Sequence, residues 1–395
     1  LIITKQEKKT INKILDSNMI SEGKYTSLFE KKWAKFIGTE YCTAVNSGTS
    51  ALIVGLRALN QRLGNNIKVA TTAFTYIATV NSIILTGNTP VFVDIEQETK
   101  AICPKKLEEK LQEDRDIKVV ILVHIMGIPA KVDEIKYICD KYKVILFEDC
   151  AQSYGTKYKK QMLGSYGLLS DCSFFQAHTL QCGELGSLNT NDRDLARLFN
   201  KLKSNGRTAI FDTEKEPYYK NSKEHNEHFD LHPRYYHDLV SGNYRTTEFS
   251  TGLACEQIKT IKQTIKKRND NVKKLNKELE QYSEIIELPI YHKDYAYLGY
   301  PILIKRHNLI SRREFRDKLE AAKVETRPLY GNLVADMPSL AQYKELYEGK
   351  LPVTDYVGRQ TFYVGCHQNI NNKDLNYMIK TLKRILDDVL KKVKI

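Results

Sequence analysis

Nowhere in the 395 residues is there an apolar run of about 18, the length a membrane-spanning helix requires. A membrane is therefore not expected among the partners of this chain. The opening "LIITKQEKKTINKILDS" turns polar after three residues, which does not fit a secretory leader. No CxxC pair occurs. The eight cysteines stand apart at positions 42, 103, 139, 150, 172, 182, 255 and 366. That spacing argues against a disulfide framework or a cysteine-bound cluster and fits reduced, mostly inert thiols in the cytoplasm. No HExxH motif, internal repeat or low-complexity linker appears, and no lysine lies between Lys160 and Lys201.

The charge is not balanced. There are 61 basic and 48 acidic residues, a formal net charge of +13. Basic excess can mark a nucleic-acid partner. Here the lysines are spread along the whole chain and no nucleic-acid motif accompanies them. The expectation is a solvated basic surface, compatible with a small polyanionic substrate and without nucleic acid as a partner.

The apolar residues are arranged in short runs. "YCTAVN" (41–46), "IKVATTAF", "TPVFVDI", "VVILVHI" and "VILFED" are β-branched or aromatic and apolar on both faces. Helical patterns lie between them, such as "SALIVGLRALNQRL", "ATVNSIILTG" and "VDEIKYICDKY". This alternation predicts an α/β fold: a mostly parallel sheet covered by helices, with the active site at the carboxyl ends of the strands. The large domain is expected over 1–249, with an N-terminal segment 1–20. Within it, 207–240 breaks the pattern and reads as a long polar excursion, functional or at an interface. His225, His228, His232 and His237 fall there, without the companions a metal site needs. A smaller α/β domain is expected over 250–395. It comprises a long helix at 252–282, a strand at 295–305, a helix at 311–323 and a closing amphipathic helix.

Three stretches can carry chemistry. "NSGTSAL" (46–52) joins a strand to a helix. Gly48 and Thr49 can cradle a phosphate on the free N–H groups of the helix start. Equally, Ser47 or Thr49 can be an ordinary cap. "VILFEDCAQSYG" ends a buried strand on Glu148 and Asp149. A carboxylate there needs a partner or a function. Pairing the ring nitrogen of a pyridine cofactor is one function, and capping a helix at "CAQSYG" is the alternative. "SFFQAHTLQCGELGS" (173–187) reads as a strand end and a catalytic turn centred on His178.

The order of these segments, with "TTAFTYIAT" (71–79) and "SGNYRTTE" (241–248) between and after them, resembles the DegT/DnrJ/EryC1/StrS family of fold-type I pyridoxal-phosphate enzymes along nearly the whole chain. The resemblance implies a large domain with a seven-stranded-type, mostly parallel sheet. It also implies amino- or deoxysugar synthesis on nucleotide carriers, of the kind that supplies lipopolysaccharide O-antigens. Carried over by position, Gly48, Thr49 and Ser173 hold the cofactor phosphate. Tyr76 stacks on the ring, Asp149 pairs its nitrogen and Gln152 lies beside it. Asn243 reaches the phosphate of the neighbouring subunit, which implies a homodimer with shared active sites. "RPLY" (327–330) resembles the substrate-side segment but lacks the histidine that normally follows.

In the family pattern the fifth residue after that serine is the lysine that binds the cofactor covalently. Here that residue is His178, with Glu184 and Gly186 holding the register. Histidine forms no stable Schiff base but can move a proton. One branch of the family makes this exchange: dehydrases of nucleotide-linked 4-keto-6-deoxy sugars, which hold pyridoxamine phosphate non-covalently. "FYVGCHQNI" (362–370) also resembles that branch. The resemblance thus implies loss of the C3 hydroxyl from such a sugar, with His178 as base, Asp149 stabilising the ring and glutamate restoring the amine. An iron–sulfur variant needs clustered cysteines between the catalytic turn and the small domain, where only Cys255 lies. The alternatives are an aminotransferase that moves the amino group of glutamate to a keto sugar, favoured by "SGNYRTTE" and "EDCAQ", and a catalytically silent sugar-binding member. A lysine deliberately replaced is a further alternative.

Overall fold

The computed structural model describes residues 2–207 and 236–393. Its main sheet has seven strands: β1 (Tyr41–Val45), β2 (Lys68–Thr72), β3 (Thr89–Val93), β4 (Ile117–Val123), β5 (Ile145–Asp149), β8 (Leu169–Ser173) and β9 (Gly186–Thr190). A short hairpin, β6 (Lys157–Tyr158) and β7 (Gln161–Met162), stands apart from it. The spatial order is β1-β9-β8-β5-β4-β2-β3. Only β9 runs against the others. The expected mostly parallel α/β sheet is therefore present. Of the β4 residues, Lys118 alone is exposed, as a strand covered by helices on both faces requires.

This topology brings the ends of β1, β5 and β8 to one edge of the sheet. Gly186 opens β9 there, paired with Val45 on one side and Ser173 on the other. A Cβ on Gly186 would lie 2.2 Å from the Ser47 carbonyl oxygen, so only glycine lets the turn after β1 approach so closely.

The second sheet is antiparallel, with β10 (Ile286–Glu287), β11 (Tyr300–Ile304), β12 (Thr326–Pro328) and β13 (Thr361–Val364) in the order β10-β11-β13-β12. Its own core joins Val272, Leu275, Ile302, Phe315, Phe362 and Leu382. The helices Ile261–Leu279, Arg312–Ala321 and Asn372–Val393 supply part of it.

Two expectations are corrected here. The helix expected at 252–282 is two helices, Glu248–Gln257 and Ile261–Leu279, joined by a 3₁₀ turn at Ile258–Thr260. The halves serve different cores. The Glu248 carboxylate accepts the N–H groups of Gly23, Tyr25 and Thr26 at 2.9, 2.7 and 2.8 Å, and Ala254 and Cys255 join the core of Phe29 and Trp33. Val272 and Leu275 belong to the second sheet instead. The strand expected at 295–305 is confined to Tyr300–Ile304. Before it, Leu298 donates to the Met126 carbonyl at 3.1 Å and Arg268 donates to the Tyr297 and Leu298 carbonyls, so these backbone groups leave no ladder to form.

Of the 207–240 excursion, 208–235 lie outside the described residues, with His225, His228 and His232 among them. His237 is described, and its Nδ1 lies 2.9 Å from the Asn205 carbonyl. No helix among the described residues is long and apolar enough to cross a membrane.

Candidate active site

A cavity of about 490 Å³ opens at the carboxyl ends of β1, β5 and β8. Gly48, Thr49, Tyr76, Asp149, Gln152, Ser173 and His178 all line it. Seven residues spread over 131 positions thus converge on one space. Asn243 is not among the lining residues. It is exposed, and its side-chain oxygen accepts from the Arg245 backbone N–H at 3.3 Å and from Arg245 Nε at 3.0 Å.

At the turn after β1, both readings of "NSGTSAL" hold together. Ser47 is the cap of the helix Gly48–Leu63 and accepts from the Ser50 N–H at 3.1 Å. Gly48 and Thr49 stand in the first turn, where N–H groups have no intrahelical acceptor. They face the cavity, so the helix start offers free donors and the positive end of its dipole. A Cβ on Gly48 would come within 2.6 Å of the Ser173 Cβ. The absence of a side chain is what keeps Ser173 beside the amides.

β5 ends on two carboxylates with opposite surroundings, since neighbouring side chains on a strand point to opposite faces. Glu148 accepts the N–H groups of Gly164, Tyr166 and Gly167 at 2.9, 2.7 and 2.7 Å. His124 completes its shell at 3.4 Å; its Nδ1 accepts the Ala130 N–H, so Nε2 carries the proton toward Glu148. His124, Glu148 and Cys150 come close enough to suggest a cation site. Both nitrogens of His124 and both oxygens of Glu148 are already engaged, and burial pushes the Cys150 thiol well up. This cluster is a structural hub.

Asp149 points into the cavity. It accepts the Thr79 hydroxyl at 2.9 Å and the Ala151 N–H at 3.2 Å. Burial nevertheless raises its pKa, because those two donors and His124 offset only part of the desolvation. No helix follows: residues 151–155 form turns, so the alternative of a helix cap is not realised. A buried carboxylate short of donors suits a cationic ligand atom.

His178 is held through its ring. Nδ1 lies 2.8 Å from the Ser173 carbonyl. A carbonyl can only accept, so Nδ1 carries the proton and Nε2 keeps its lone pair. Burial lowers its pKa to about 4, with the Ser173 carbonyl opposing and the Arg268 charge adding to the shift. The imidazole is therefore neutral at physiological pH. No lysine among the described residues lines the cavity.

The structure adds residues that motif reading passed over. Thr79 orients Asp149 and is itself 3.0 Å from the Thr75 hydroxyl. Gln152 accepts the Met126 N–H at 3.1 Å and donates through Nε2 to the Tyr330 hydroxyl. Tyr330 thereby brings "RPLY" into the cavity, with Pro328 and Leu329 beside it. Asp171, two residues before Ser173, lines the floor. The strand alternation of "LSDCS" places Asp171 on the Ser173 face, a signal that was legible in the sequence.

The DegT/DnrJ/EryC1/StrS aminotransferase family matches residues 1–383. GDP-perosamine synthase of Escherichia coli O157:H7 is 28% identical over 387 residues, covering 98% of this chain and 97% of that protein. The dTDP-4-dehydro-2,6-dideoxy-D-glucose 3-dehydratase of Saccharopolyspora spinosa is 29% identical over 380 residues, covering 92% and 80%. Among solved structures, GDP-4-keto-6-deoxymannose-3-dehydratase superposes with a TM-score of 0.86 at 23% identity, over 96% of this chain and 97% of that one, which shows a shared fold. The cofactor of the family is pyridoxal phosphate, and the residues present fit it. Gly48 keeps a cradle open beside Ser173, Asp149 pairs with no lysine or arginine among the described residues, and the Tyr76 ring lines the cavity. The chain belongs to the DegT/DnrJ/EryC1/StrS aminotransferase family of fold-type I, pyridoxal-phosphate-dependent enzymes.

Proposed function

We propose that this enzyme removes the C3 hydroxyl from a nucleotide-linked 4-keto-6-deoxyhexose, using pyridoxamine phosphate held without a covalent bond. The observation that carries this reading is His178: a neutral imidazole whose Nε2 keeps its lone pair, in a cavity that no lysine among the described residues lines. Bound pyridoxamine phosphate supplies an amine for the C4 ketone and a ring that accepts the electron pair left at its methylene carbon. His178 Nε2 takes the proton from that carbon. The Ser173 carbonyl steadies the imidazole as it gains charge. Asp149 would hold the proton of the ring nitrogen, with the Thr79 hydroxyl fixing its carboxylate. The amides of Gly48 and Thr49 and the hydroxyl of Ser173 would hold the phosphate, and Tyr76 and Gln152 would flank the ring. Asn243 serves the neighbouring subunit of a homodimer, which accounts for an exposed side chain outside its own cavity.

The overall reaction balances with glutamate as amino donor. Keto sugar and glutamate give a 3-deoxy keto sugar, 2-oxoglutarate and ammonia. A second reading is transamination, supported by the similarity to GDP-perosamine synthase along almost the whole chain. Incubation with a GDP- or dTDP-linked 4-keto-6-deoxyhexose and glutamate separates the two. Dehydration gives a product lighter by one oxygen atom, with free ammonia. Transamination gives an amino sugar and no ammonia. Borohydride treatment with pyridoxal phosphate leaves the protein mass unchanged if binding is non-covalent, and an adduct on one lysine overturns that part of the reading.

A further inference from the structure

Asp171 is fully buried, and neither of its carboxyl oxygens meets a hydrogen-bond partner among the described residues. It lines the cavity and stands opposite Asp149 in the pairing of β5 with β8. The side chain is not used by the chemistry above. It is also poorly placed for a structural role, because an ionised carboxylate buried without a donor costs several kcal/mol (~2–7 even for a neutral polar group). Two acids sharing one buried site keep one charge between them. The donors decide where that charge rests. Asp149 has the Thr79 hydroxyl and the Ala151 N–H, and Asp171 has neither. Burial and the neighbouring Asp149 both push the Asp171 carboxyl well above the usual carboxylate range. A neutral acid still needs an acceptor for its O–H, and the described residues offer none. The acceptor has to arrive in the cavity.

We propose that Asp171 is a further cofactor-binding residue, a second acid beside Asp149 whose carboxyl O–H donates to an acceptor atom of the bound cofactor. The inference rests on the cofactor reading, and not on whether the reaction is dehydration or transamination. It assigns different work to two neighbouring acids: Asp149 carries charge for the ring nitrogen, and Asp171 carries a proton for an acceptor atom of the cofactor.

The test titrates pyridoxal phosphate and pyridoxamine phosphate into three proteins, the natural chain, Asp171→Asn and Asp171→Leu, following cofactor absorbance. Thermal melts are run on each without cofactor. Asn keeps a donor and loses ionisation, so it is expected to bind within about threefold of the natural protein. Leu loses the donor and is expected to bind about tenfold more weakly, while its cofactor-free form melts at or above the natural protein because an orphaned polar group is gone. Opposite effects on binding and on melting are what a merely structural residue would not give. Equal binding by Asp171→Leu overturns the proposal. So does an Asn variant as weak as Leu, which would mean that the charge is what matters. So does a Leu variant that melts well below the natural protein and binds weakly, which would make Asp171 a structural residue. If the natural protein binds neither cofactor form, the cofactor reading fails and takes this inference with it.

Discussion

The last two residues of β5 are neighbours in the chain and opposites in their surroundings. Glu148 has four partners, all from the protein, and its side chain is fully buried. Among the described residues Asp149 has two, and Asp171 across the ladder has none. On one face of the sheet the hydrogen-bonding capacity is saturated, and on the other it falls short. A saturated buried carboxylate tells of structure: it ties residues 164–167 to the end of the strand. A shortfall beside a cavity tells of a ligand, because buried polar groups are otherwise almost always satisfied. The same residue class at adjacent positions therefore divides between folding and function by partner count alone.

That contrast can be broken from the cavity side first. His178→Asn is expected to lower turnover by about 10³-fold, within the range for a lost general base, with cofactor affinity nearly unchanged. Full turnover by this variant would remove His178 from the proton transfer. His178→Lys is expected to create a covalent cofactor link that borohydride fixes; no adduct would mean that the side chain does not reach the cofactor. From the opposite face, Glu148→Ala is expected to cost about 3–5 kcal/mol of stability, since one buried and two partly buried N–H groups and the buried His124 lose their acceptor. The check is the midpoint of denaturant unfolding, and a midpoint unchanged from the natural protein would refute the structural role.

Asp149→Asn sharpens the comparison, because it keeps the shape and removes the charge. Pyridoxal phosphate is expected to bind about 10- to 100-fold more weakly, the worth of one charge-assisted hydrogen bond, while thermal stability without cofactor stays level or rises. Calorimetric titration paired with a melt reads both. The smallest expected effect is in pH. With the His178 pKa lowered to about 4, the base form prevails above that value. The kcat/KM profile should therefore rise through its acid limb near pH 4 and show no limb near 6.5, where an ordinary histidine would give one. A limb at 6.5 that His178→Asn abolishes would show that the imidazole is solvated during turnover.

Much of the site could be read along the chain because it sits at strand ends. "VILFED" announces a buried strand, and its last residue must face the carboxyl edge where parallel sheets bind ligands. "SFFQAH" places His178 by position after Ser173, and the geometry puts both in the cavity. The single long helix that the periodicity of 252–282 predicts is broken in the structure for a physical reason. Helical periodicity persists across Ile258–Thr260, and only the two cores on either side reveal the break. Gln152 and Tyr330 are 178 residues apart, and nothing local marks their bond.

The sequence alone determined the alternation of strand and helix, the motif order and the histidine in the place of the lysine, because each is local: side-chain period, turn chemistry and residue identity act over a few positions. Tertiary structure alone decided which carboxylate is saturated, which nitrogen of His178 keeps its lone pair and that Tyr330 closes on Gln152. Those depend on donors and acceptors supplied by distant segments, and the free energy of a buried polar group is set by the partners that folding brings to it.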